Sequence, residues 1–484
     1  MNSRKTSPTG RHTPPFLPTL LAVVITSLAA LPAQAEDFDT PQSFSPWENN
    51  TSELHDAHFD VNAGQAAITV NDMEFSMVGG WVHNTGSGGG LVFNLWSGKQ
   101  DQVDHVEVDS AGSFGLQVNG GKVSIVDSQV RTHGDNDPGL DAQSGGQVEL
   151  VGGRVDTDGD NSAAVHAHNN GGAQISGSVL DTEGDHSAGV LLDNNGTLTL
   201  GDSQVSTAGD DSTAIQANNG ASLQVSGAAL ETAGQGSHGV HISSNSAENT
   251  LKDSSITTHG AGSIGVMVNN ASGAAQVQNS QIVTEGEGSH GLYTRQGTRI
   301  ELSEGSRVTT GGADADGAWT AEGGSIGITD SRLSSSGAGS AAVHAAASGT
   351  VSVDGSQLSS TGSGGAGIHL DNGGAVTASA SQIDSSNGSA ILFSQGDQTG
   401  SQAQLDLSAS RVTSDARRGD GADRQRWHLQ CHGQPAAGRQ RYRLRDCRRR
   451  QPAVHAHRFQ SRRRGIRPAG RCRRQWFAAA DQRR

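Results

Sequence analysis

Residues 155–180 read VDTDGDNSAAVHAHNNGGAQISGSVL and hold three short alternating phrases separated by turn residues. Val155 opens the first phrase, which ends at Thr157, and Gly159-Asp160-Asn161 turns the chain. Ala163-Ala164-Val165-His166-Ala167 is the second phrase, closed by Asn169-Asn170-Gly171-Gly172. Ala173-Gln174-Ile175 is the third, closed by Ser176-Gly177-Ser178. Alternation over a few residues marks a strand with one face inward, and clusters of Gly, Asn, Asp and Ser mark turns.

The plan recurs along the chain. The first phrase returns at Val130, Val155, Leu180, Val205, Leu230, Ile256, Ile282, Val308, Leu333, Leu358 and Ile383, in steps of 25 or 26. The second returns at Leu116, Leu140, Val165, Val190, Ile215, Val240, Val266, Leu292, Trp319, Val343, Ile368 and Ile391. The third runs from Val123 and Val148 to Val351 and Val376, with a second aliphatic two places on, as at Ile125 and Val353. Residues two apart in a strand share a face, so each coil sends aliphatics inward and polar groups outward. Self-similarity at this period marks a solenoid. Three strands per coil without helical periodicity predict an all-β, right-handed parallel β-helix of roughly twelve coils, about 25 residues each.

Composition agrees. Gly is 67 of 484 residues, aromatics are 4% and apolar residues 33%, leaner in core than a globular domain needs. Disorder would share that composition but not the register of aliphatics.

Other recurring residues have structural readings. Asn170, Asn195, Asn219, Asn270 and Asn372 are predicted to take left-handed turn conformations and form an amide ladder. His166, His241, His344 and His369 follow an inward aliphatic by one place and are predicted to face solvent. Leu191 and Gln216 interrupt that row, so no metal site is read there. Asp135, Asp160, Asp185 and Asp210 read as a solvated turn, because the glycine-rich nonapeptide of calcium-binding β-rolls is absent. Neither cofactor nor metal is expected.

Residues 1–35 read as a signal peptide. Arg4, Lys5 and Arg11 precede the apolar stretch Leu20 to Leu31, and Ala33-Gln34-Ala35 is a small-x-small site, placing cleavage between Ala35 and Glu36. Residues 36–100, with Trp47, Trp81 and Trp96, read as an N-terminal cap and first irregular coils, and 101–415 as the β-helix. Span 36–415 has no cysteine, and its 10 basic against 45 acidic residues give a net of −35. Such charge excludes nucleic acid as a partner and disfavours anionic membranes.

From 416 the composition breaks. Residues 416–484 hold 21 of the 34 basic residues, all Arg, and Cys431, Cys447 and Cys472. A disordered, out-of-frame tail is expected. With suitable codons and a one-nucleotide shift, Arg424 to Pro435 becomes VNVGTFNATDSQ, which restores the D-S-Q phrase of the repeats. Arg418-Gly419-Asp420, an integrin tripeptide, is read as accidental in that context.

Signal peptide, cysteine-free acidic span and repeating V-x-T-x-G, G-V-x-A and G-G-x-V-x-L coils together resemble an autotransporter passenger domain of the pertactin type, over about residues 60–415. The resemblance implies an exported, non-enzymatic adhesin or virulence factor of a Gram-negative bacterium, at the cell surface or outer membrane. Its partners would be a host-cell or matrix receptor. A C-terminal β-barrel translocator, absent from this sequence, would provide display; without it the product would be periplasmic or secreted. Self-association of identical passengers is the alternative. A polysaccharide-degrading enzyme is disfavoured, since the ten basic residues of 36–415 are scattered and no inserted loop builds a cleft. A serine-protease nucleophile is absent: Gly201-Asp202-Ser203 is followed by Gln204. No binding residue is singled out.

Overall fold

The computed structural model describes residues 36–47, 52–96, 98–243, 249–270, 272–394 and 403–415, with the backbone of 427–430 and 448–450. Among these residues there is no helix, and so none long and apolar enough to cross a membrane.

Each phrase becomes one strand. Val179–Thr182 lies on the first face, Val190–Leu192 on the second and Thr197–Gly201 on the third. Every strand pairs in parallel with the same face of its neighbouring coils: Val155 opposite Leu180, Val165 opposite Val190, Ala173 opposite Leu198. Fifteen strands stack on the second face, from Gln42–Phe44 to Ile391–Phe393. The molecule is a parallel β-solenoid of about 14 turns, about 25 residues each. At a strand spacing of about 4.8 Å the rod is about 67 Å long.

The count exceeds twelve because the irregular N-terminal residues stack in register too, Ile68 opposite Leu91 and Leu91 opposite Leu116. Here two strands are nine residues long, Glu53–Val61 and Ser76–Asn84. The second spans two faces: Ser76 to Val78 pair with the third face, and Trp81 to Asn84 with the first. Gly79 and Gly80, at φ 72 and 88, make the bend. A Cβ on Gly80 would stand 2.0 Å from the Ala57 carbonyl oxygen, so only glycine fits there.

The core is a set of aliphatic columns; Val155, Val165, Ala173 and Ile175 are all buried. Trp319 corrects the expected pattern. Ala318, opposite Leu292 and Val343, fills the inward position, and Trp319 points out. The N-terminal coils are filled by phenylalanines rather than by the expected tryptophans: Phe38 stacks on Phe59 at 4.4 Å, and Phe44 meets Phe75 at 5.1 Å. Trp47 and Trp96 are 93% and 73% exposed, and Trp81 stacks on His58 at 3.4 Å.

Hydrogen bonds explain the polar letters of the repeat. Thr157 Oγ1 donates to the Ser162 carbonyl at 2.7 Å, as Thr182 does to Ser187 at 2.8 Å. Amides of Ser162, Ser187 and Ser212 donate to the serine Oγ one coil on, at 3.0, 3.0 and 2.9 Å. A second serine ladder runs along the corner between third and first faces, where the Ser178 amide donates to Ser203 Oγ at 3.1 Å. Ser203 is thus a structural serine. Buried hydroxyls paired this way contribute about 1 kcal/mol each, and more is lost if a partner is removed.

The acidic row is likewise built in, not merely solvated. Asp135, Asp160, Asp185 and Asp210 each accept, through Oδ1, the amide one coil on, at 3.0, 2.9, 2.8 and 2.8 Å. Asn170, Asn195, Asn219 and Asn372 have φ of 65, 64, 46 and 41. Asn270 departs from that expectation: its φ is not positive, and its Nδ2 donates to the Ser243 carbonyl at 3.1 Å.

Residues 411–414 pair antiparallel with 427–430, which pair antiparallel with 448–450. The signal-peptide segment through Ala35, the three cysteines and Arg418-Gly419-Asp420 lie outside the described residues. Glu36 is the first described residue, and its carbonyl accepts the His58 amide at 2.8 Å.

Candidate partner-binding face

The second face carries one outward residue per coil in a single column. In register these are Gln117, Asp141, His166, Leu191, Gln216, His241, Met267, Tyr293, Trp319, His344 and His369. Parallel pairing without slippage holds equivalent side chains about 4.8 Å apart, so neighbours in the column must touch.

Its N-terminal half is a hydrogen-bonded polar network. Gln117 Nε2 donates to Asp141 Oδ2 at 2.7 Å, and His168 Nε2 lies 3.1 Å from Asp141 Oδ1. His166 stacks on His168 at 4.2 Å, with its Nε2 3.5 Å from Asp193 Oδ2. The His166 bond holds the Asp193 carboxyl below the usual carboxylate range.

The C-terminal half is aromatic. Tyr293 meets Trp319 at 5.1 Å, Trp319 stacks with His344 at 5.8 Å, and His344 with His369 at 4.1 Å. His290, one strand-entry turn away, packs 4.5 Å from the Trp319 ring. These rings shield one another, which corrects the solvent-facing reading: His166, His241, His344 and His369 project outward but are half-buried. Desolvation pulls the pKa of His241, His290 and His369 below the usual imidazole value, and that of His238 down to about 4. His344 goes the other way. Burial disfavours its charged form, but the Asp316 Oδ2 bond to Nδ1 at 2.9 Å, with the charges of Asp316 and Asp371, raises it. Asp316 is itself fixed, accepting the Ala341 amide through Oδ1 at 2.6 Å.

Polar atoms on this half are left open. Trp319 Nε1 and Arg295 Nε are buried from solvent without a hydrogen-bond partner. Buried donors without partners are uncommon in folded proteins, and these two lie in the aromatic half of the column. Some basic groups elsewhere on the rod are engaged: Lys122 pairs with Glu149 at 2.9 Å and Arg131 with Glu107 at 3.2 Å.

A groove of about 360 Å³ lies at the corner between third and first faces, lined by Asp253, Ser254, Asn279, Ser280 and Arg307 among others. Asp253 is its one carboxylate, and it accepts from Asn279 Nδ2 at 2.6 Å. Its lining therefore lacks the carboxylate pair that glycoside hydrolysis uses.

The histidines of the column were legible in the sequence. Met267 and Tyr293 were not read as part of it, and Trp319 was assigned to the core. The signal was present: each stands one place after the inward residue of its coil, in the same 25- or 26-residue step.

No family model matches the chain, and no curated protein matches it by sequence. Among solved structures, a chain of the cryo-EM structure of the Vag8–C1 inhibitor complex is similar over 77% of this chain and 100% of its own, with a TM-score of 0.54 and 16% identity. At that identity the likeness is one of fold: the two chains share the β-solenoid.

Proposed function

We propose that this chain is a non-enzymatic, exported passenger of the autotransporter type, an adhesin or virulence factor that holds a protein partner of the host against the C-terminal half of its second face. The observation that carries this reading is the continuous outward column Met267, Tyr293, Trp319, His344 and His369 on a rigid parallel sheet. Tyr and Trp are the residue types that dominate binding energy at protein interfaces, and a rigid sheet presents them at little cost in entropy. The similar solved chain belongs to a complex of Vag8 with C1 inhibitor, so a protein partner on a solenoid of this shape has a structural parallel.

The test is adhesion of beads coated with the purified chain. They are offered host epithelial cells, immobilised matrix proteins and identical beads. The reading expects capture by cells or matrix, lost in the Tyr293→Ala, Trp319→Ala double variant. Bead-to-bead clumping with no host binding would replace it with self-association.

A further inference from the structure

We propose that His344, His369 and Asp371 form a site for a zinc-class divalent metal ion near the C-terminal end of the second face. One ligand atom from each residue lies within 4.8 Å of the others. Tetrahedral zinc holds N and O donors at about 2.0–2.2 Å, hence about 3.3 Å from one another, so closure needs shifts of at most about 1.5 Å. Rotation about the side-chain bonds of these outward residues supplies that movement without disturbing the sheet.

Three features make this more than a chance meeting of ligands. First, His344 is oriented for ligation. Asp316 Oδ2 engages its Nδ1 at 2.9 Å, which places the proton there and leaves the Nε2 lone pair free. A carboxylate behind the distal nitrogen is the usual support of a metal-bound histidine. Second, that Nε2 is buried, makes no hydrogen bond, and lies 3.5 Å from Asp371 Oδ2. Third, Asp371 Oδ1 is also buried without a hydrogen-bond partner. His369 completes the set, with Nε2 2.7 Å from Ser394 Oγ and its other nitrogen free to ligate. Two imidazoles and one carboxylate suit zinc and its neighbours rather than calcium, which takes six or more oxygens. The fourth position opens to solvent, where water or a partner's side chain would complete the tetrahedron.

Asp141, His166 and His168 meet the same distance criterion, and His166 Nε2 is likewise buried without a partner, but there both carboxylate oxygens are engaged. Gln117 and His168 occupy the two Asp141 oxygens, and Asn169 Nδ2 sits 2.9 Å from His168 Nδ1. The two clusters thus provide an internal control.

The experiment titrates the purified full chain with zinc by calorimetry and with cobalt by visible absorption. The proposal expects one tightly bound equivalent with the ligand-field bands of nitrogen and oxygen donors. Binding should vanish in His344→Gln and in Asp371→Asn, weaken about tenfold in Asp316→Asn, and persist in His166→Gln. Circular dichroism of each metal-free variant checks that the solenoid is intact. The proposal falls if no metal binds, if binding survives both ligand substitutions, or if His166→Gln alone abolishes it. A thiolate charge-transfer band, placing the metal on the tail cysteines, would equally overturn it.

Discussion

The two halves of the second face share one backbone and differ only in what stands on it. Between Gln117 and Gln216 the outward column is polar except for Leu191, and Gln117, Asp141 and His168 hydrogen-bond one another, although His166 Nε2 is buried without a partner. Between His241 and His369 it is aromatic, and it leaves Trp319 Nε1 and Arg295 Nε without partners. Parallel register and an aliphatic core run through both halves. The inward residues therefore specify the rod, and the outward ones are free to carry whatever the rod is for.

The largest expected effect breaks that comparison directly. If the aromatic half binds the partner, Tyr293→Ala with Trp319→Ala weakens affinity at least about a hundredfold, while Leu191→Ala with Gln216→Ala leaves it within about twofold. Surface plasmon resonance against whichever matrix protein captures the beads reads both. Equal losses from the two pairs would remove the distinction between the halves.

Titration sharpens the comparison, because a residue near the N-terminal end and one at mid-rod respond to pH with opposite sign. His238 has its pKa lowered to about 4, chiefly by burial. Its neutral form is favoured in the fold, so its contribution is complete above about pH 6.5 and is lost as pH falls towards 4. At pH 5 the loss is about 2 kcal/mol, and His238→Gln should lose correspondingly less than the parent between pH 7 and 5 in urea unfolding. Asp101 stands at an inward position of the third face, opposite Val123, and burial pushes its carboxyl up to about 7. Its protonated form is favoured in the fold, so stability declines as pH rises from about 4 through 7. Asp101→Asn keeps an acceptor for the Phe75 amide, held at 3.1 Å, and should be more stable than the parent by up to about 4 kcal/mol at pH 8. A variant no more stable than the parent at pH 8 would show that Asp101 is ionised at no cost.

The smallest effect concerns the ladder that both halves share. Asp185→Ala leaves the Asp210 amide without its acceptor, held at 2.8 Å, and should cost about 1 kcal/mol in thermal unfolding. The same substitution at Glu183, which lies outside that row, should cost less.

Architecture was legible because a period of 25 leaves little freedom: once Val155, Leu180 and Val205 are aligned, parallel stacking follows. What was not legible depended on partners a full coil away. Asp160 looks like any solvated turn acid until its neighbour 25 residues on is brought within hydrogen-bond reach. Trp319 stands outward because register places Ala318 inward, although of two adjacent residues the larger apolar one is the natural choice for a core. The binding column suffered similarly. Met267 and Tyr293 share no residue type, and the 26-residue step between them becomes a surface only through lateral registration.

The serine ladders have a direction. Each amide reaches forward to a hydroxyl on the following coil, as Ser237 does to Ser263 at 3.0 Å. A half-built rod therefore ends in donors at set spacing that await the next coil, so folding can advance by templated addition at its tip rather than by collapse. Such a tip would as readily recruit a strand from another molecule. At residues 411–414 the strand that arrives, 427–430, runs antiparallel. That strand occupies the edge without reproducing the parallel template.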